Sequence, residues 1–188
     1  MRSPHLPARR MKKSWRGVAA VEFALVLLPF LVMLLGAIEF GRLLFLWNTV
    51  QEVTRNAARQ AVVTDFSLST ETDKIKYSAV FRSNAGSLPA APEVTNAHVV
   101  IRYLNAAGNV ASPMPVSPGD NISACLDSER TSSCIRFVEV CLSTGSSCQS
   151  DQLVSFVPLV SLFDADLAGL KIPLSTVRMP AESLGFRP

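Results

Sequence analysis

A predominantly apolar run of 21 residues, from Val18 to Ile38, constrains this chain more than any other feature. As an α-helix it would measure about 31 Å at roughly 1.5 Å per residue, which matches the roughly 30 Å hydrocarbon core of a bilayer. Pro29 lies near its middle, where a membrane helix tolerates a proline that would break a soluble helix. The run therefore predicts one membrane-spanning helix. A cleaved secretory signal peptide is the main competing interpretation.

Positive charge is concentrated before this run. The first 17 residues hold six lysines and arginines and no acidic residue, whereas the whole chain has 18 basic and 15 acidic residues. The remainder therefore carries 12 basic and 15 acidic residues, and no basic surface for nucleic acid is expected there. Because positive charge is retained on the cytoplasmic side, we expect a cytoplasmic N-terminus and an exported remainder. A disordered tail is the simpler alternative for the leader.

Three charged residues lie inside the span or directly after it. Glu22 falls in its first turns, where an ionised carboxylate must either snorkel to the near surface or meet a partner. Both interpretations fit the sequence. Glu39 and Arg42 follow the span three residues apart, close enough to pair on one helix face. Anchoring at the membrane interface is the predicted role of this pair.

The sequence RGVAAVEF at residues 16–23 resembles the processing site of type IV pilin-like proteins. In that family a membrane aspartyl peptidase, the prepilin peptidase, cuts after a glycine on the cytoplasmic side. The resemblance implies a scissile bond between Gly17 and Val18, and assembly roles for Glu22 and Phe23. The Glu22 carboxylate would neutralise the new α-amine of an adjacent subunit, since opposite charges buried together cost less than either alone.

A longer match narrows the family. Residues 17–63 look like the N-terminal signature of TadE-like proteins, the minor pilins or pseudopilins of the bacterial tight-adherence (Tad, Flp pilus) machinery. The matching features are the Glu-Phe pair at 22 and 23, Pro29, IEFGR at 38–42, Asn48 and AAR at 57–59.

This resemblance implies a single-pass protein of the bacterial inner membrane with a periplasmic or extracellular C-terminal domain. It also implies a part in pilus assembly and in surface adherence or secretion. Prepilin peptidase and other Tad pilin or pseudopilin subunits would be the partners. Roughly the first third of the chain carries the resemblance, so the exported part has to be interpreted from its own residues.

Apolar residues continue beyond the span at intervals of three or four, which predicts an amphipathic helix to Val63. They are Leu43, Leu46, Val50, Val53, Ala57 and Ala61. This stripe fits packing on the chain's own domain and packing in a pilus-like bundle equally well. The chain would then divide into a basic cytoplasmic leader (1–17), a transmembrane and extended amphipathic helix (18–63) and an exported domain (64–188).

The exported part is predicted to be a small α+β domain with an antiparallel sheet. Thr70 would cap a helix over 71–84, ended by Gly86. β-branched and aromatic residues predict strands at 97–104 and 134–142, and a last strand within 170–180.

The connecting segments are predicted from their turn residues. NAAGN at 105–109 predicts a hairpin turn. Prolines at 86–94 and 112–121 predict a connector and a loop or edge strand, respectively. The stretch 153–167 fits either a short buried helix or a strand interrupted by Pro158.

All four cysteines, Cys125, Cys134, Cys141 and Cys148, lie in the exported part. An even count in an oxidising compartment predicts two disulfides. Three pairings exist, and we favour Cys125 with Cys134 and Cys141 with Cys148 because each pair closes a short polar loop. A zinc site is the alternative interpretation of the four cysteines, but no C-x-x-C spacing is present.

The sequence contains no G-x-S-x-G, phosphate-loop or H-E-x-x-H motif. His98 is predicted to lie in mid-strand with an exposed side chain, and the glycosylation-type triplet at Asn121 would be idle in a bacterium. We therefore expect no enzyme activity, no cofactor and no resident metal. The alternative to a pilin-like role is a single-pass, membrane-anchored envelope binding protein that is not processed as a pilin.

Overall fold

A computed structural model describes residues 16–160 and 169–186. The predicted leader therefore lies outside the described residues, apart from Arg16 and Gly17. The chain forms two compact units, Met1–Ile38 and Glu39–Pro188, hereafter the N-terminal and C-terminal units. The boundary at 38/39 differs from the predicted division at 63/64, because residues 43–61 contribute their apolar side chains to the core of the C-terminal unit.

The first helix, α1, runs without interruption from Arg16 to Ala61 and passes through Pro29. Its most apolar window has a mean hydropathy of 2.6, and none of that window is buried. In the N-terminal unit the exposed side chains include Val21, Phe23 and Leu25. A helix this apolar, with its side chains exposed, fits a single-pass membrane anchor.

In the C-terminal unit, α1 is amphipathic and its apolar stripe is buried. The side chains of Leu46, Val50, Val53, Ala57 and Ala61 are completely inaccessible to solvent. They belong to one hydrophobic cluster with residues from the strands that follow. Of the two packing arrangements considered for this stripe, the structure has the one in which it packs on its own domain.

The C-terminal unit is α+β, as predicted, with antiparallel sheets. Its remaining elements, in chain order, are α2 (Ser69–Ala79), β1 (Ser87–Leu88), β2 (Ala91–Thr95), β3 (Val99–Leu104), α3 (Pro118–Leu126), β4 (Phe137–Leu142) and β5 (Thr176–Pro180). Strands β1 and β2 form one antiparallel pair, and the second sheet has the order β3-β4-β5. In that sheet Val140 lies between Ile101 and Val177.

The predictions for two proline-containing segments were wrong, one throughout most of its length and the other in part. Residues 87–95 form β1 and β2 and not a connector, because both strands of a two-stranded sheet are edges, where proline is tolerated. Residues 112–117 are a loop, as predicted, but residues 118–121 begin α3. There Pro118 occupies the first turn, and the Ser117 hydroxyl accepts a hydrogen bond from the Asp120 amide at 3.2 Å.

Other element boundaries differ by a few residues. Helix α2 begins at Ser69 without a side-chain cap and ends at Ala79, since Phe81 takes a positive φ of 58°. Strand β3 begins at Val99 because residues 96–98 form a 3₁₀ turn. His98 is therefore not in mid-strand, and its half-buried ring accepts a hydrogen bond from the Thr95 amide at 3.1 Å.

The hairpin turn predicted at 105–109 is confirmed. The Asn105 amide donates to the Asn109 carbonyl at 2.8 Å, and Gly108 supplies the positive φ of 82°. Of the ambiguous stretch at 153–167, the structure describes residues 153–160, where Ser155 forms an antiparallel bridge with Lys171. The rest of the stretch lies outside the described residues.

Candidate functional site

The residues of the predicted processing and assembly site lie together at the start of α1. Apart from its chain neighbours and the nearby backbone of α1, a Cβ built on Gly17 would meet no atom of the described residues within 4 Å. Val18 and Phe23 are both more than half exposed, and Glu22 is also exposed. The side chain of Glu22 has no hydrogen-bond partner among the residues that the structure describes. Within that part of the chain the site is open, and the Glu22 carboxylate can meet a group from another molecule.

A second candidate site surrounds Glu39 and Arg42, the first charged residues after the apolar span. The two side chains pair across one helical turn, with Arg42 Nε 3.4 Å from Glu39 Oε2. A second carboxylate comes from β2, where Glu93 Oε1 accepts from Arg42 Nη1 at 3.1 Å. All three side chains are at most 6% exposed.

Arg42 makes three further contacts in the C-terminal unit. Its Nη1 donates to the Ala90 carbonyl at 3.3 Å, and its Nη2 donates to the Val157 carbonyl. The guanidinium carbon lies 4.4 Å from the centroid of the Phe156 ring, within cation–π range. One planar cation thus holds the β1–β2 turn and the loop after Phe156 to α1.

Glu39 completes this arrangement through backbone amides. Its Oε1 accepts hydrogen bonds from Leu159 at 2.6 Å and from Val160 at 3.0 Å. The group contains two carboxylates and one guanidinium, so the amide dipoles supply part of the stabilisation that a second cation would provide. Glu93 Oε2 has no partner among the described residues.

Residues 17–59 match the model of the TadE-like protein family. The resemblance drawn from the sequence is therefore confirmed over this segment. Searches of curated proteins and of solved structures found no match.

The TadE-like segment contains every residue of the first candidate site and the two helical members of the second. Glu93, Phe156 and the 157–160 loop lie outside it, so the partners of Glu39 and Arg42 come from the part of the chain that the family model does not cover. The interfacial role predicted for Glu39 and Arg42 stays a prediction. What the structure adds is that both are buried and tie the helix to its own domain.

Sequence reasoning missed the other members of this network. For Glu93 one sequence feature could have drawn attention to it, since it is the first charged residue after an uncharged stretch from Ser83 to Pro92. The backbone amides of Leu159 and Val160 had none, because an amide donor exists at every residue except proline.

The cysteine pairing that we favoured is confirmed. Cys125 bonds to Cys134 and Cys141 to Cys148, at sequence separations of 9 and 7. The first disulfide ties the end of α3 to the segment before β4, and the second ties β4 to the loop that follows it. Because all four sulfurs are in disulfides, they supply no thiolates for the zinc alternative.

Proposed function

We propose that this protein is a minor pilin or pseudopilin that takes part in assembly of a Tad-type pilus, and so in surface adherence or secretion. One observation carries the proposal: the Gly17, Val18 and Glu22 pattern lies at the exposed start of α1, inside the segment that matches the TadE-like model. The role is one of assembly, with no catalytic step, cofactor or resident metal.

In this proposal the leader stays in the cytoplasm and α1 crosses the inner membrane once. A prepilin peptidase cuts between Gly17 and Val18, and the C-terminal unit lies in the periplasm or outside the cell. Six leader cations support the orientation. Gly17 supports the cut, because it has no side chain to obstruct a peptidase and no described residue outside the adjacent backbone crowds its Cβ position.

Glu22 acts after the cut. The new amine of Val18 is positive at membrane depth, where an unpaired charge is costly, and so is an unpaired carboxylate. Pairing the amine of one subunit with the Glu22 carboxylate of its neighbour lowers both penalties, since opposite charges buried together cost less than either alone. Glu22 is exposed, and its side chain has no partner among the described residues, which supports a partner from another subunit.

The surface available for assembly follows from the burial pattern. The apolar stripe at 43–61 is occupied by the chain's own core, so it is not available to neighbouring subunits. The exposed apolar side chains between Val18 and Ile38 remain available. We therefore assign the subunit contacts to the span, with other Tad pilins or pseudopilins as partners.

Replacement of Glu22 tests this role. In a strain that lacks its own copy, Glu22→Ala and Glu22→Gln should insert normally, because both make the span less charged, but pilus number should fall strongly. Glu52→Ala is the matched control, since Glu52 is an exposed acid on the same helix beyond the span. Normal piliation by both Glu22 variants would contradict the pairing and favour a snorkelling carboxylate.

A tethered binding protein is the second candidate function. The observation that favours it is an open cleft of about 740 Å³ in the C-terminal unit, lined by Asp65, Glu71 and Ser183 among others. Such a protein needs no new N-terminus at Val18, so processing separates the two functions.

A further inference from the structure

We propose that the C-terminal unit is seated on the lipid headgroup surface through an apolar collar, which consists of Phe40, Pro89, Ala90, Val157 and Leu159. The occupant of this surface is the bilayer that holds the span. The inference rests on the membrane anchoring in the proposed function and adds a second, peripheral membrane contact to it.

The depth of the collar follows from chain connectivity. Glu39 is the first residue after the apolar run, and Arg42 lies about 4.5 Å further along the helix at roughly 1.5 Å per residue. The headgroup region on each side of a bilayer is roughly 5–8 Å thick. The residues held directly by Glu39 and Arg42 are therefore held at headgroup depth.

The two loops that contribute to the collar, the β1–β2 turn and residues 157–160, are both held by Glu39 or Arg42. The amides of Leu159 and Val160 bond to Glu39, and the carbonyls of Ala90 and Val157 accept from Arg42. Because these contacts involve backbone atoms of the loops, the side chains remain free. Val157 is 53% exposed and Leu159 is 65% exposed.

The chemistry of the collar fits an apolar boundary. The sequence has no charged residue from Ser83 to Pro92 or from Gln152 to Val160. The three charges of the network are almost fully buried, so the collar displays none of them. Phe40 is also exposed on α1, and aromatic and aliphatic side chains at this depth partition favourably into the interface.

Site-directed labelling in lipid nanodiscs tests the collar. The native cysteines are all in disulfides, so one added cysteine can carry a bimane fluorophore in the full-length chain. Val157→Cys and Leu159→Cys report on the collar. Val63→Cys is the matched control, because Val63 is 47% exposed but follows a stretch of α1 that runs about 28 Å from Arg42 to Ala61.

Nitroxide lipids labelled near the headgroup should quench bimane at 157 and 159 several-fold more than at 63, and iodide in the water should show the reverse order. Quenching at 157 and 159 equal to that at 63 would overturn the collar. Protection from both quenchers would also overturn it, since the occupant would then be protein.

A fourth label, at Leu28→Cys, separates failure of the collar from failure of the anchor. Leu28 is an exposed residue within the span. If lipid nitroxides quench position 28 but not 157 or 159, the anchor stands and the collar fails. If position 28 is also accessible to iodide, the membrane span itself is refuted, and the collar with it.

Discussion

Replacing Arg42 by Met should destabilise the C-terminal unit far more than an ordinary charge deletion. Methionine keeps much of the aliphatic length but removes the only cation of the buried network. Glu39 and Glu93 would then be two carboxylates at most 4% exposed, with no arginine between them. The carbonyls of Ala90 and Val157 would also lose their donor.

The magnitude follows from the burial of the partners. Removing one member of a buried ion pair costs about 3–5 kcal/mol, because it leaves an uncompensated charge in a poorly solvated site. For a chain of this size each kcal/mol lowers the melting temperature by roughly 2–4 °C, so a decrease of roughly 6–20 °C is expected. Thermal unfolding of the full chain in detergent, followed by near-UV circular dichroism, measures it.

An exposed pair provides the control. Lys74 lies 2.7 Å from Glu71, but these side chains are 67% and 38% exposed. Lys74→Met should therefore cost less than about 1 kcal/mol. The triple variant Arg42→Met, Glu39→Gln, Glu93→Gln should recover much of the loss, since no buried charge remains. Equal melting temperatures for Arg42→Met and Lys74→Met would show that Arg42 does not compensate the buried charges of Glu39 and Glu93.

Two further predictions concern the core of the C-terminal unit. Thiol labelling of unreduced protein should find no free cysteine, and free thiols in protein from the envelope would contradict the two disulfides. Opening either disulfide should lower the free energy of unfolding by about 2–3 kcal/mol for loops of this size, which is measured as a lower melting temperature. Burial, and secondarily Asp65, raise the pKa of Tyr103 above its ordinary 10.0, so the stability that this shift contributes is present below pH 10.0 and is lost above it. Tyr103→Phe should weaken that loss of stability at alkaline pH and cost little at neutral pH, since the buried hydroxyl has no partner among the described residues. Urea unfolding of both proteins at neutral pH and above pH 10.0 measures the difference. An unchanged alkaline loss in Tyr103→Phe would show that Tyr103 does not cause it.

The sequence predicted the features that depend on periodicity and spacing. The stripe from Leu43 to Ala61 repeats at helical intervals, so the continuation of α1 and its buried face could be anticipated. The disulfides could be anticipated because each pair encloses a short polar loop. The TadE-like segment at residues 17–59 could be recognised because its motif is local, with short spacings such as Gly17 to Glu22 that are visible in the sequence without knowledge of the fold.

Features that depend on tertiary contacts were not predictable in this way. Prolines at 89 and 92 obscured β1 and β2, because a two-stranded sheet tolerates residues that a central strand excludes. Pro118 looked like a helix breaker, yet with Ser117 before it the same residue starts α3. The pairing of Arg42 with Glu93 joins positions 51 residues apart, and no local pattern encodes such a contact.

The N-terminus of the protein in its native envelope distinguishes a processed pilin-like subunit from a tethered binding protein. Intact mass and N-terminal sequencing should be measured with and without the resident prepilin peptidase. Gly17→Val and Gly41→Val form a matched pair, since a Cβ at either glycine would meet no atom within 4 Å. A valine at 17 should block the cut by obstructing the peptidase, whereas a valine at 41 should not.

Cleavage between Gly17 and Val18 predicts a mature chain that starts at Val18 and has 171 residues, the 188 of the full chain less the 17 of the leader. It also predicts a full-length chain when the peptidase is absent and for Gly17→Val. A chain that still starts at Met1 in peptidase-competent cells would contradict the pilin-like assignment and leave the tethered binding protein as the better account.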